Sequence, residues 1–104
     1  MQRFLLDTSV LERFTSALAA VVSERPDSAD VIRGLVDAHL FIVQAEGGWF
    51  RYHQLFHAFL RRRLVEREPA AVAVLHLRAG RAWQAAGDHQ EAVRHFLEAG
   101  ALEE

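Results

Sequence analysis

The chain has 104 residues, 51% hydrophobic and 25% charged, with no cysteine and a formal net charge of −2. Such a chain is one domain's worth of packed structure, or a small domain and the first turns of another, and is neither disordered nor fibrous. The slight acidity gives no general attraction to nucleic acid phosphates or anionic lipid. Disulfide and thiolate chemistry are excluded, and no apolar run approaches the roughly 18 residues of a membrane span.

At the N-terminus, Asp7 and Glu12 interrupt the apolar segment, so it does not read as a secretory signal, and a cytoplasmic setting is expected. Phe4-Leu5-Leu6 stands there with no earlier element to pack on, and the last helical pattern runs almost to Glu104. Both ends therefore read as cut from a longer protein.

A first helix is expected from Val10 to Ser23. Ser9 and Glu12 have the S-x-x-E spacing of a capping box, and Leu11, Phe14, Leu18 and Val21/Val22 recur on one helical face. Pro26 ends it by disfavouring helix at Arg25. A second helix runs from Ala29 to Ala38, capped by Asp27 or Ser28, with Val31, Ile32, Leu35 and Val36 turned inward. Leu40–Ala45 and Trp49–Tyr52 are β-rich runs around Gly47-Gly48 and predict a β-hairpin. A third helix follows from His53 to Arg67, with Leu55, Phe56, Phe59, Leu60 and Leu64 on one side and Gln54, His57, Arg61 and Arg62 on the other. Two more helices, Ala70–Ala86 and Gln90–Ala99, close the pattern, with Gly87 ending the first and Asp88 capping the second.

The fold class is therefore mainly α: a winged-helix-like module over residues 1–68 (helix, helix, β-hairpin, helix), then an antiparallel helical hairpin over 69–104. Gly80, Trp83, Ala92, Phe96 and Ala99 resemble a tetratricopeptide repeat in type and spacing, with His76 standing where the repeat usually has an aromatic. A single repeat cannot bury its own faces, so further repeats are expected as partners.

A winged helix raises the question of DNA. The helix before the wing offers Asp30, Arg33 and Asp37 to solvent, and the wing tip offers Glu46, so both would meet phosphate with net negative charge. Arg61-Arg62-Arg63 lies on the helix after the wing, and consecutive helical residues fan out by about 100° each, so the three cannot face one strand. An autonomous DNA-binding domain is thus the alternative reading, with a structural or switch module ahead of it. Trp49, Phe50 and Tyr52 read as a packed hairpin face rather than a base-stacking patch. His53 and His57 lie four apart but lack a third metal ligand; His39, His76, His89 and His95 read as scattered surface or half-buried residues. No catalytic set assembles, so the segment is expected not to be an enzyme.

Three segments carry a family resemblance. Phe4–Phe14 (FLLDTSVLERF) is similar to the "FLLRTSILERL" segment of MalT-like, LuxR-family ATP-dependent transcriptional regulators; Ala38–Val43 resembles their "ANLFLV", and Phe50–Arg61 their "YRYHHLFADFLR". Asp7 departs from the usual basic residue, and His57-Ala58 from a small-plus-acidic pair. The resemblance covers essentially the whole chain. It implies a STAND-class protein with an N-terminal P-loop ATPase module, a winged-helix arm, a helical-repeat sensor and a C-terminal helix-turn-helix that carries DNA binding. This chain would be the arm and the start of the sensor, with ATP/ADP bound by the full-length protein and no cofactor or membrane contact of its own. The resemblance also points to His53. In related STAND proteins a His in an "MHD" motif reaches the β-phosphate of ADP, and Tyr52-His53-Gln54 resembles that motif with Gln54 in place of the acid. At a strand-to-helix junction an imidazole N–H adds to a position that already favours anions. A His that caps the helix or packs under Tyr52 is the alternative.

Overall fold

The computed structural model describes residues 2–39 and 41–100; Leu40, assigned above to the first strand, and residues 101–104 lie outside them. The order is α1 (Gln2–Thr8), α2 (Ser16–Ser23), α3 (Ser28–Asp37), β1 (Ile42–Gln44), a 3₁₀ turn (Glu46–Gly48), β2 (Phe50–Tyr52), α4 (Gln54–Arg67), α5 (Pro69–Ala85) and α6 (His89–Glu98). This is a winged-helix module followed by a helical hairpin. The strands pair antiparallel with Val43 opposite Arg51, joined by a turn in which Gly47 and Gly48 take φ of 72° and 80°, a region glycine enters without a Cβ clash.

The N-terminal third differs from the expected single helix. α1 was not anticipated, and the Ser9–Glu12 capping box does not form. The Ser9 hydroxyl instead donates to the Leu6 carbonyl at 2.6 Å. Phe14 is drawn into extended backbone, exchanging hydrogen bonds of 2.9 and 2.8 Å with Phe50, which is incompatible with helix at that residue. α2 therefore starts later, under Thr15, whose hydroxyl accepts the Leu18 N–H at 3.2 Å. The apolar residues that suggested the longer helix still reach the core: Leu11, Phe14, Leu18 and Val22 are buried, whereas Val21 is exposed.

At α3, neither expected cap operates through its side chain. Asp27 is held by Arg25 at 2.9 and 3.1 Å, and the Ser28 hydroxyl donates to the Arg25 carbonyl at 2.7 Å. Asp88 does cap α6, accepting the Glu91 N–H at 3.1 Å. Pro69 occupies the first turn of α5, where its missing N–H is not needed.

The core gathers Phe4, Leu11, Phe14, Ile32, Leu35, Tyr52, Leu60 and Leu64 with Leu75, Ala79, Trp83 and Ala92 of the helical pair. Tyr52 is fixed by a buried relay. Thr8 Oγ1 donates to the Phe4 carbonyl at 2.8 Å, so the 2.6 Å contact between Tyr52 Oη and Thr8 Oγ1 has the phenol donating. Burial pushes the Tyr52 phenol well above its ordinary range. Trp49 of the hairpin stacks on Trp83 of α5 with centroids 5.7 Å apart, and the Arg13 guanidinium lies 4.7 and 5.0 Å from the two rings. Trp49, Phe50 and Tyr52 are thus packed. Within the helical pair, Gly80 faces the ring of Phe96; a Cβ there would stand 2.6 Å from it, so a larger residue would require the Phe96 ring to shift.

Candidate functional site

His53 links β2 to α4. Its own N–H donates to the Phe41 carbonyl at 2.8 Å, tying the junction to the start of β1, and its carbonyl accepts the His57 N–H at 2.8 Å as the first bond of α4. The amides of Gln54, Leu55 and Phe56 precede that bond and face the helix N-terminus. The imidazole makes no cap hydrogen bond and is exposed, as are Gln54 and Leu55. His53 therefore neither caps the helix through its ring nor packs beneath Tyr52.

An open groove of about 590 Å³ runs beside this junction, lined by His39, Phe41, Ile42, Val43, His53, Leu55 and Phe56. Its rim is apolar beyond expectation. Leu55 is 78% exposed, Phe41 56% and Phe59 52%, and Phe41, Phe56 and Phe59 form a ladder with centroid spacings of 4.5 and 6.3 Å. The sequence puts Leu55, Phe56, Phe59, Leu60 and Leu64 on one side of this helix. Only Leu60 and Leu64 are buried: α4 packs against α1 and α5, Phe56 is partly covered by Phe41 and Tyr52, and Leu55 and Phe59 stay exposed. His39 and Phe41, which the sequence reading gave no role at the groove, both take positive φ (56° and 59°). Such backbone is uncommon at bulky residues, and Phe41 stands immediately before β1.

For an anion such as a diphosphate, the residues present fit one contact: the His53 imidazole N–H beside the amides of Gln54–Phe56. The remaining phosphate ligands would come from outside the segment. His57 points elsewhere, its Nε2–H donating to the Ser9 carbonyl at 2.6 Å, so His53 and His57 do not converge. Among the described residues no group of three or more His, Cys, Asp or Glu is placed to hold a metal, and no helix is long and apolar enough to cross a membrane.

The face a winged helix would turn to DNA is as acidic as its sequence implies, with Asp30, Arg33 and Asp37 exposed on α3 and Glu46 at the wing tip. On α4, Arg61 and Arg62 are exposed, while Arg63 folds back over the Phe59 ring at 5.6 Å.

Two histidines correct the sequence reading. His76 and His95, taken for surface or half-buried residues, are 4% and 1% exposed and meet Nδ1 to Nδ1 at 2.9 Å across α5 and α6. The signal was present: His95 falls between Ala92, Phe96 and Ala99 at helical spacing on the apolar face, and His76 occupies the position where the repeat pattern has an aromatic. Desolvation lowers the basicity of both, that of His95 to about 4, with His76 adding to the effect.

Residues 1–72 match the MalT winged helix domain. The chain belongs to that family. It is 34% identical over 96 residues to the HTH-type transcriptional regulator MalT of Vibrio campbellii, covering 90% of this chain and 11% of that protein. With MalT of Klebsiella pneumoniae it shares 33% over 101 residues, or 95% and 11% of the two lengths. With the serine/threonine-protein kinase PknK of Mycobacterium tuberculosis it shares 38% over 103 residues, or 96% and 9%. The chain thus spans about a tenth of the length of the curated relatives it matches.

Proposed function

We propose that this chain is the winged-helix arm of a MalT-type transcriptional regulator and the beginning of its helical sensor: a non-catalytic module that reports nucleotide state. In this reading the groove beside His53 docks on an ATPase module while ADP is bound, with the imidazole and the α4 amides contacting the β-phosphate, and releases when ATP replaces it, as a rigid-body switch. The helical pair continues into further repeats, and DNA is engaged by a separate helix-turn-helix of the complete, cytoplasmic protein. Family membership supports the reading, and the observation that carries it is the uncapped, exposed His53 at a helix N-terminus inside an apolar rim. A match to a stretch of a protein named as a kinase fits a module that transmits a state and leaves chemistry to its neighbours. The acidic α3 face and wing tip weigh against direct DNA binding by this segment.

In the complete protein, His53→Ala is expected to weaken ADP retention by about 10- to 100-fold, the loss of one charge-assisted hydrogen bond of about 1.5–3 kcal/mol, and to raise activity without inducer. Unchanged ADP affinity and inducer dependence would remove the role assigned to His53. The chain alone is expected to bind ADP negligibly, and micromolar binding by calorimetry would contradict the module reading. A low-salt gel shift with this chain is expected to show no duplex binding.

A further inference from the structure

The only side chains that α6 buries are Ala92 and His95, with Phe96 partly buried against Gly80. α6 packs chiefly on α5, so one of the few buried side chains that attach it is an imidazole that meets a second imidazole. We propose that the His76–His95 pair is an acid-sensitive latch, in which adding one proton undocks α6 from α5 while the winged-helix half stays packed.

The argument is a count of protons. Two neutral imidazoles carry two N–H hydrogens between four ring nitrogens. One hydrogen must lie in the 2.9 Å Nδ1–Nδ1 contact, and the second sits on one Nε2. His95 Nε2 is buried with no partner among the described residues, so the favoured arrangement has His95 donating through Nδ1–H and His76 carrying its single hydrogen on Nε2. A third proton that preserves the contact must place hydrogen on His95 Nε2, whichever ring is called charged. That leaves a buried, charged N–H without an acceptor, which is strongly unfavourable. A fourth proton sets two Nδ1–H groups against each other. Acid is therefore accommodated only by bringing His95 to water, and His95 leaves with its helix.

The surroundings reinforce this. Arg61 of α4 and Arg94 of α6 disfavour positive charge on both rings, while Glu98 favours it on His76 and Glu91 on His95. Glu12, in the loop before α2, holds Arg94 at 2.9 Å, and α2 carries no charged residue. The sign follows. Basicity in the folded state is below the ordinary histidine value, so the unfolded chain binds more protons as pH falls through 6.5 toward 4. Stability is fully present above about pH 6.5 and is lost through that window.

The test uses the 104-residue chain and a His76→Phe/His95→Leu double variant, with denaturant unfolding from pH 8 to pH 5 and NMR of the ring nitrogens and α6 amides. The unmodified chain is expected to show a folding equilibrium constant that falls below pH 6.5, approaching about tenfold per pH unit for one proton, with α6 amides shifting toward random-coil positions before those of α2. Ring-nitrogen shifts should report Nδ1–H on His95 and Nε2–H on His76 at pH 8. The double variant should lose the extra pH dependence. Parallel pH curves for the two chains would overturn the latch. So would ring nitrogens of His76 and His95 that take up protons at the ordinary histidine value with α6 unmoved, a result readable on the unmodified chain even where the double variant does not fold.

Discussion

α4 and the α5–α6 pair depart from the simple rule of apolar inside and polar outside, and they do so in opposite directions. α4 carries more apolar surface than it buries: Leu60 and Leu64 face the core while Leu55, Phe59 and Val65 face solvent. The helical pair buries more polarity than it needs, sealing His76 and His95 between its helices. A contiguous exposed apolar face is the kind of surface that interaction sites use. Buried titratable groups make packing conditional on solution conditions. In the readings proposed above, one region receives a partner and the other senses a change.

The widest gap in this comparison lies within α4 itself. Leu64→Ala is expected to destabilise the chain by about 2–5 kcal/mol, the range for removing a fully buried leucine, seen as a lower urea midpoint at unchanged slope. Leu55→Ser, two and a half turns away, should change stability by no more than about 0.5 kcal/mol. A large loss from Leu55→Ser would mean that the rim is structural and would undo its reading as a docking face.

That contrast also shows how far the sequence could be read. The hairpin, its glycine turn, the boundaries of α3 to α6 and the Asp88 cap follow from period, turn residues and capping chemistry, all of which act locally. The helix drawn through Phe14 did not survive, because its competitor was a strand 36 residues later: pairing with Phe50 is a tertiary event that no local window registers. The open side of α4 was hidden for a related reason. Periodicity marks an apolar face but cannot say whether a neighbour covers it. The place of His53 at the strand-to-helix junction was legible from the change of period there; the His76–His95 contact was legible only as two separate oddities, since a pair 19 residues apart becomes a pair when the hairpin closes.

A smaller effect sharpens the difference between the unpaired His95 nitrogen and a fully paired buried group. Tyr52 and Thr8 satisfy each other at 2.6 Å. Thr8→Val keeps the shape but leaves the Tyr52 O–H buried without an acceptor, for an expected loss of about 1–3 kcal/mol. Adding Tyr52→Phe to Thr8→Val should recover part of it, because an apolar pair strands no donor. Two additive losses in that double-mutant cycle would show that the hydroxyls contribute independently.

The smallest expected effect concerns a buried acid in the winged-helix half, and its sign runs opposite to that of the latch. Asp7 is 5% exposed, with Arg3 Nε 3.0 Å away, and Arg3 is shared with Glu68. Burial raises the Asp7 carboxyl above its ordinary value despite the attraction of Arg3 and Arg78. At neutral pH the folded state thus holds a carboxylate it disfavours, and this penalty fades as pH falls through the raised value and the folded state takes up the proton. Asp7→Asn removes the charge and keeps the shape. It should raise stability at pH 7 by up to about 1 kcal/mol, since Arg3 retains Glu68 and an exposed partner of this kind is worth little. The advantage over the unmodified chain should shrink on going to pH 4. A variant less stable at pH 7 would show that the Arg3 pair outweighs burial, and the acid response of the chain would then have a second destabilising source beside the histidines. With the expected sign, the two halves answer acid in opposite senses: the winged-helix half tightens as Asp7 is neutralised while the helical pair loosens as His95 is charged.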